Sequence, residues 1–173
     1  LISNQIEWRN DNNDPDVLDL SAFDRSAFDF DYYMELKEKG VENFILTSWS
    51  PPAWMKRNLA VGYGYASAPK YEDTDNILEP HYYGEFAESL VGAYRLFQEE
   101  ANIDLFGIGP QNEPAFTEPY ASAVLSPYEY AKLMEKIGER FERENINTKF
   151  YMPEQVFSQQ HYPMKQYINT LEN

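Results

Sequence analysis

Short apolar runs alternate with longer helical patterns along this chain, and that order constrains the fold more than any other feature. Residues 1–6 read as a strand leading into Glu7-Trp8, followed by a polar stretch over 9–19. A helical pattern covers 27–39 and closes at Gly40, a residue suited to ending a helix. Phe44-Ile45-Leu46 reads as a buried strand that ends in Thr47-Ser48-Trp49-Ser50-Pro51-Pro52-Ala53-Trp54. Residues 56–79 show no periodicity and many Gly, Tyr, Asp and Pro, as in a functional lid or a disordered loop. Over 82–101, Tyr83, Phe86, Ala87, Leu90, Tyr94 and Phe97 form one helical stripe. A strand over 104–109 then runs into Pro110-Gln111-Asn112-Glu113-Pro114. Ser126-Pro127-Tyr128-Glu129 predicts a helix opened by a capping box with Pro at its first position, striped by Tyr130, Met134, Ile137 and Phe141. Residues 148–152 read as another strand, ending at Pro153-Glu154-Gln155, and a last helical stretch starts near Tyr162.

Strand, helix, strand, helix in this order implies parallel strands joined by crossover helices, in a sheet buried on both faces. An open doubly wound sheet would carry Gly-rich phosphate loops after its strands, and none is present. Each run here ends instead in Trp, Glu, Asn or Pro, which is how a barrel builds its active face. The expected fold is α/β: a partial (β/α)8 TIM barrel, about strands two to five with their helices, as one partial domain over residues 1–173. No internal repeat or linker breaks it.

Charge and composition narrow the partners. A net charge of -15, from 29 acidic and 14 basic residues, repels nucleic acid and anionic lipid. No apolar run is long enough for a membrane span. The absence of Cys excludes disulfides, thiolate metal sites and Cys nucleophiles. The chain opens at Leu1 without Met, so the natural N-terminus is expected upstream, and no leader is visible. Asp11-Asn12-Asn13-Asp14-Pro15-Asp16 is similar to a calcium loop but lacks its Gly and closing Glu, and reads as a solvated acidic loop. His81 and His161 fit no metal pattern, and Lys56-Arg57 reads as surface.

Glu113 is the candidate for chemistry. It follows a strand end, and Pro114 biases its backbone towards extended conformations, which would help aim its carboxyl. Cleaving a glycosidic bond takes a proton donor beside the leaving oxygen and a second carboxylate near the anomeric carbon. Asn112 is placed to bond a hydroxyl beside the reacting carbon. Trp49 and Trp54 flank a stiff Ser-Pro-Pro corner, where an indole serves either as a sugar platform or as a core plug.

Trp49-Ser50-Pro51-Pro52-Ala53-Trp54-Met55-Lys56, then Pro110-Gln111-Asn112-Glu113-Pro114, then Met152-Pro153-Glu154, together resemble glycoside hydrolase family 30 over nearly the whole chain. The resemblance implies retaining hydrolysis of β-linked glycans, with no cofactor and a secreted or periplasmic location. It implies Glu113 as acid/base, Asn112 on the neighbouring hydroxyl, and Trp49 against the sugar in the cleavage subsite. Glu7 and Trp8 would bond and stack on that sugar, Glu154 would line the cleft, and Tyr120 would reach it from the following loop. The family nucleophile is a Glu after a seventh strand, beyond the five that this chain reaches, so Glu154 is not expected to fill that role. A different class of reading is a carbohydrate-binding or inactive remnant that keeps the aromatic platform without chemistry. A partial barrel leaves strand edges unpaired and apolar faces uncovered. Assayed alone on xylan, β-1,6-glucan and aryl β-glycosides, the 173-residue chain is expected to be inactive.

Overall fold

The computed structural model describes residues 6–62, 75–115, 117–118, 120–154 and 162–172. The expected first strand (except Ile6), much of the 56–79 loop, Gln155 and His161 lie outside these. The described order is α1 (Phe30–Glu38), β1 (Ile45–Thr47), α2 (Tyr83–Ala101), β2 (Gly107–Gly109), α3 (Pro127–Arg143), β3 (Lys149–Phe150) and α4 (Met164–Leu171), with short 3-10 turns between. The sheet has the order β1-β2-β3, with both pairings parallel. Leu46 stands opposite Ile108, and Ile108 opposite Phe150. Each strand lies beside the next one in sequence, as strand–helix–strand crossovers require.

Side chains alternate across a strand. Leu46, Ile108 and Phe150 point to the helices, and Phe150 meets the Phe141 ring of α3 at 5.2 Å between centroids. Helix α2 is buried along most of its length, while α3 buries one stripe: Tyr130, Leu133, Met134, Ile137 and Phe141. Under α1, the rings of Phe28, Phe30 and Tyr33 pack on Phe97 at centroid distances of 5.0, 5.3 and 4.9 Å. Tyr130 and Tyr167 are fully buried and meet edge to face, and the Tyr167 hydroxyl donates to the Leu125 carbonyl at 2.7 Å. None of the described helices is long and apolar enough to cross a membrane.

The opposite face departs from the expectation of a sheet buried on both sides. Ile45 is 48% exposed, and Lys149 and Tyr151 are also exposed. Between them lie Gly107 and Gly109, which lack side chains. A Cβ on Gly107 would run into the Tyr151 ring, and one on Gly109 into the Glu154 carboxylate. The first helix is also shorter than expected, beginning at Phe30 because Asp29 accepts from the Tyr32 N–H and caps it there.

Helix α3 starts at the predicted place. Ser126 Oγ accepts from the Glu129 N–H at 3.3 Å, and Glu129 Oε2 accepts from the Ser126 N–H at 2.8 Å. Ser126→Ala removes one of these two bonds and should lower stability by about 1 kcal/mol, measured as a shift of the urea midpoint at unchanged slope.

Candidate active site

The backbone continues to pair beyond the strands, and this pairing assembles the site. Ser48 N–H donates to the Gly109 carbonyl at 2.8 Å, Asn112 N–H to the Ser48 carbonyl at 2.7 Å, and Glu113 N–H to the Glu154 carbonyl at 2.8 Å. Residues after all three strands are thereby fixed at one end of the sheet. Gln111 is fully buried, and its Nε2 donates to the carbonyls of Trp49 and Asn112 at 2.8 and 2.9 Å. That side chain ties the Trp49 turn to the Asn112-Glu113 turn.

Glu113 is half-buried with φ +43°, a left-handed conformation rather than the extended one that Pro114 favours. Its N–H is committed to Glu154 while the Pro114 carbonyl accepts from the Leu125 N–H at 2.8 Å, so the chain must turn sharply between the two bonds. Burial pushes the Glu113 proton affinity up, to about 7. A hydrogen bond to Glu118 and the charge of that neighbour add to the rise, and a bond from Asn112 opposes it. Glu118 is itself buried. The Tyr120 hydroxyl bonds the Glu118 carboxylate, and that bond is the chief reason its own proton affinity rises to about 12.

Glu154 is half-buried beside these groups. Thr47 Oγ1 donates to its Oε1 at 3.2 Å, while its Oε2 has no hydrogen-bond partner, and burial raises its proton affinity. Room for that carboxylate exists because Gly109 has no side chain. The Trp49 ring lies 5.5 Å from the Tyr120 ring, tilted by 43°, and Tyr120 is exposed. Glu113, Asn112, Glu154, Trp49 and Tyr120 therefore come together at one end of the sheet. The ligand atoms are oxygens, chiefly carboxylates already engaged with hydroxyls and amides, and no metal-holding group of acidic residues is found there among the described residues.

Three other sequence candidates make contacts of their own. Glu7 is 1% exposed, and its carboxylate accepts from Ser89 of α2. Trp54 is half-buried, donating from Nε1 to the Glu7 carbonyl at 3.2 Å and packing edge to face on Tyr82 at 5.1 Å. Trp8 is exposed, with Nε1 bonded to Asp24 at 3.2 Å.

Sequence reasoning missed Glu118 and Lys56. The only sign of Glu118 was a second acid five residues after Glu113. Lys56 is not surface: it is 1% exposed, and its Nζ donates to Ser50 Oγ, the Val61 carbonyl and the Ser122 carbonyl at 3.2, 3.0 and 2.6 Å. Its neighbour Arg57 is exposed and paired with Glu79 at 2.7 Å. Burial pushes the Lys56 ammonium down to about 7, while three oxygen acceptors around Nζ favour the charged form. This one side chain joins the Trp49 corner to the turn carrying Glu118 and Tyr120. Lys56→Met should strand three acceptors and cost about 3 kcal/mol in thermal stability, with altered tryptophan fluorescence as Trp49 loosens.

No family profile and no curated protein matches the chain. Solved structures do match. The xylanase Xyn30A of Clostridium acetobutylicum, from glycoside hydrolase family 30 subfamily 8, superposes with a TM-score of 0.65 at 19% identity, over 81% of this chain and 34% of that one. The catalytic domain of the family 30 xylanase C of Talaromyces cellulolyticus gives 0.67 at 18% identity, over 94% and 37%. The endo-β1,6-glucanase BT3312 gives 0.66 at 22% identity, over 91% and 36%. The chain spans about a third of the length of each, and over that span it is similar in fold to two xylanases of glycoside hydrolase family 30 and to an endo-β1,6-glucanase.

Proposed function

We propose that the chain carries the acid/base half of a retaining β-glycosidase, within a (β/α)8 barrel of which these elements form about strands two to five. The observation that carries the reading is Glu113: a half-buried carboxyl at a strand end whose proton affinity is raised to about 7. Such a group holds its proton near neutral pH and can give it to the glycosidic oxygen as that bond breaks. The carboxylate it leaves can then accept a proton from the water that releases the sugar. Glu118 assists by disfavouring charge on Glu113 and by sharing a hydrogen bond with it.

Asn112 would hold the hydroxyl beside the anomeric carbon. Trp49 and Tyr120 would offer ring faces to the sugar, and Glu154, held by Thr47, would line the site beside Glu113. The substrate class is a β-linked oligo- or polysaccharide met outside the cytoplasm, and the nucleophile is a second carboxylate outside this chain. Glu7 and Trp54 are left out of the sugar contacts because both are engaged in packing.

In the whole enzyme, Glu113→Gln should lower kcat about 10²–10⁴-fold on substrates with poor leaving groups, and much less on activated aryl glycosides. Equal losses on both, or none, would remove Glu113 from the proton-transfer role. The sign of the pH dependence follows from the raised proton affinity: activity holds below about pH 7 and falls as Glu113 ionises above it. Glu118→Gln takes away the repelling charge, so the falling limb of the profile should move to lower pH, by roughly one unit. A profile that does not move would exclude Glu118 from tuning.

A further inference from the structure

The polar loop after Ile6 folds onto α2 and brings acids together. One carboxylate oxygen each from Asp11, Glu85 and Glu88 lie within 4.8 Å of one another. Glu85 and Glu88 are three residues apart and share a face of α2. The loop is docked by contacts outside this cluster: Arg140 donates to the Pro15 carbonyl, and Pro15 packs on Gly84 so closely that a Cβ there would lie 3.1 Å away. Asn10 Nδ2 donates to Glu85 Oε1 at 2.8 Å.

Proximity of acids alone would mean little, since exposed acidic groups repel weakly in water. Burial makes the difference. Glu88 is 1% exposed, and its Oε1 has no hydrogen-bond donor; Glu85 is 6% exposed, and its Oε2 has none either. Buried carboxylate oxygens without a donor are costly unless something positive meets them. Arg140, buried like Glu88, forms an ion pair with it at 3.9 Å from Nη2 to Oε1, and a closer one with Glu144 Oε1 at 3.1 Å. One guanidinium divided between two helices leaves the cluster short of positive charge. Glu7 adds another carboxylate at the edge, with Ser89 as donor.

The three donors are all carboxylate oxygens, with neither nitrogen nor sulfur among them, which suits a hard divalent cation. Calcium takes such oxygens at about 2.3–2.6 Å and tolerates irregular geometry, so oxygens this close can share one ion. We propose that Asp11, Glu85 and Glu88 bind a calcium ion, which pins the loop after Ile6 to α2. The acidic loop first set aside as merely solvated would then supply one ligand, with the helix supplying the rest.

Calorimetric titration of the chelator-treated chain with calcium chloride, paired with thermal melts, tests this. One saturable site is expected, with Tm rising by roughly 5 °C at a hundredfold excess of calcium over its Kd. Asp11→Asn and Glu88→Gln should abolish both signals, while Asp16→Asn should keep them, because Asp16 lies in the same loop but is exposed and paired with Arg143. Glu88→Gln also relieves repulsion, so its melt without calcium should be no lower than that of the parent chain, which separates lost binding from lost folding. No saturable heat and no rise in Tm would overturn the site, leaving protons to neutralise these carboxyls. A rise that persists in Asp11→Asn and Glu88→Gln would also overturn it, as diffuse attraction to an acidic surface. Magnesium binding tighter than calcium would overturn the assignment to calcium.

Discussion

The backbone hydrogen bonds that run past the last residues of β1, β2 and β3 hold the rest of the site in place. Regular pairing lasts only two or three residues per strand, yet Ser48, Asn112 and Glu113 carry it onward through their own N–H groups. Because these donors are satisfied by neighbouring turns, three separate stretches of sequence are fixed at one end of the sheet without a rigid loop in any of them. The buried Gln111 and Lys56 repeat the device with side chains, each bonding carbonyls of turns that are distant in sequence. The carboxylates of the cleft are thus set by a frame that does not use the carboxylates themselves.

Electrostatics then follow from position. Glu113 and Glu118 lie close enough to share a hydrogen bond, and the burial around them makes ionising both expensive. Glu154 is half-buried too, but Thr47 supplies it a donor that offsets part of the cost. Burial raises the proton affinity of both Glu113 and Glu154, in one case aided by a neighbouring carboxylate and in the other opposed by a hydroxyl donor.

Much of this was legible in the sequence, for stated reasons. The helix at Ser126 was readable because a capping box is local: residues three apart answer each other's backbone. Helix α2 was readable from its stripe, and the strands from short apolar runs between helices. Glu113, Asn112, Trp49, Glu154 and Tyr120 were picked out because they follow strand ends, and the fold brings those ends together. Lys56 was misread because a lysine beside an arginine says nothing of the hydroxyl of Ser50 and the carbonyls of Val61 and Ser122 that meet it. Glu118 was missed because its effect depends on distance to Glu113 in space. The left-handed turn at Glu113 ran against the local rule for a residue before proline, since long-range backbone bonds decided it. Glu7 and Trp54 had the right residue types at strand ends, but their side chains answer to α2 and Tyr82.

That turn has an evolutionary consequence. A left-handed backbone suits Gly or Asn and penalises a branched or long side chain by about 1 kcal/mol or more. At φ +43°, the position would be improved for folding by giving up the carboxyl altogether. Drift under selection for stability alone would therefore erode Glu113 early, ahead of the surrounding frame. The turn itself would survive that loss, because the backbone bonds from Glu113 N–H to Glu154 and from Leu125 N–H to Pro114 fix it, not the side chain.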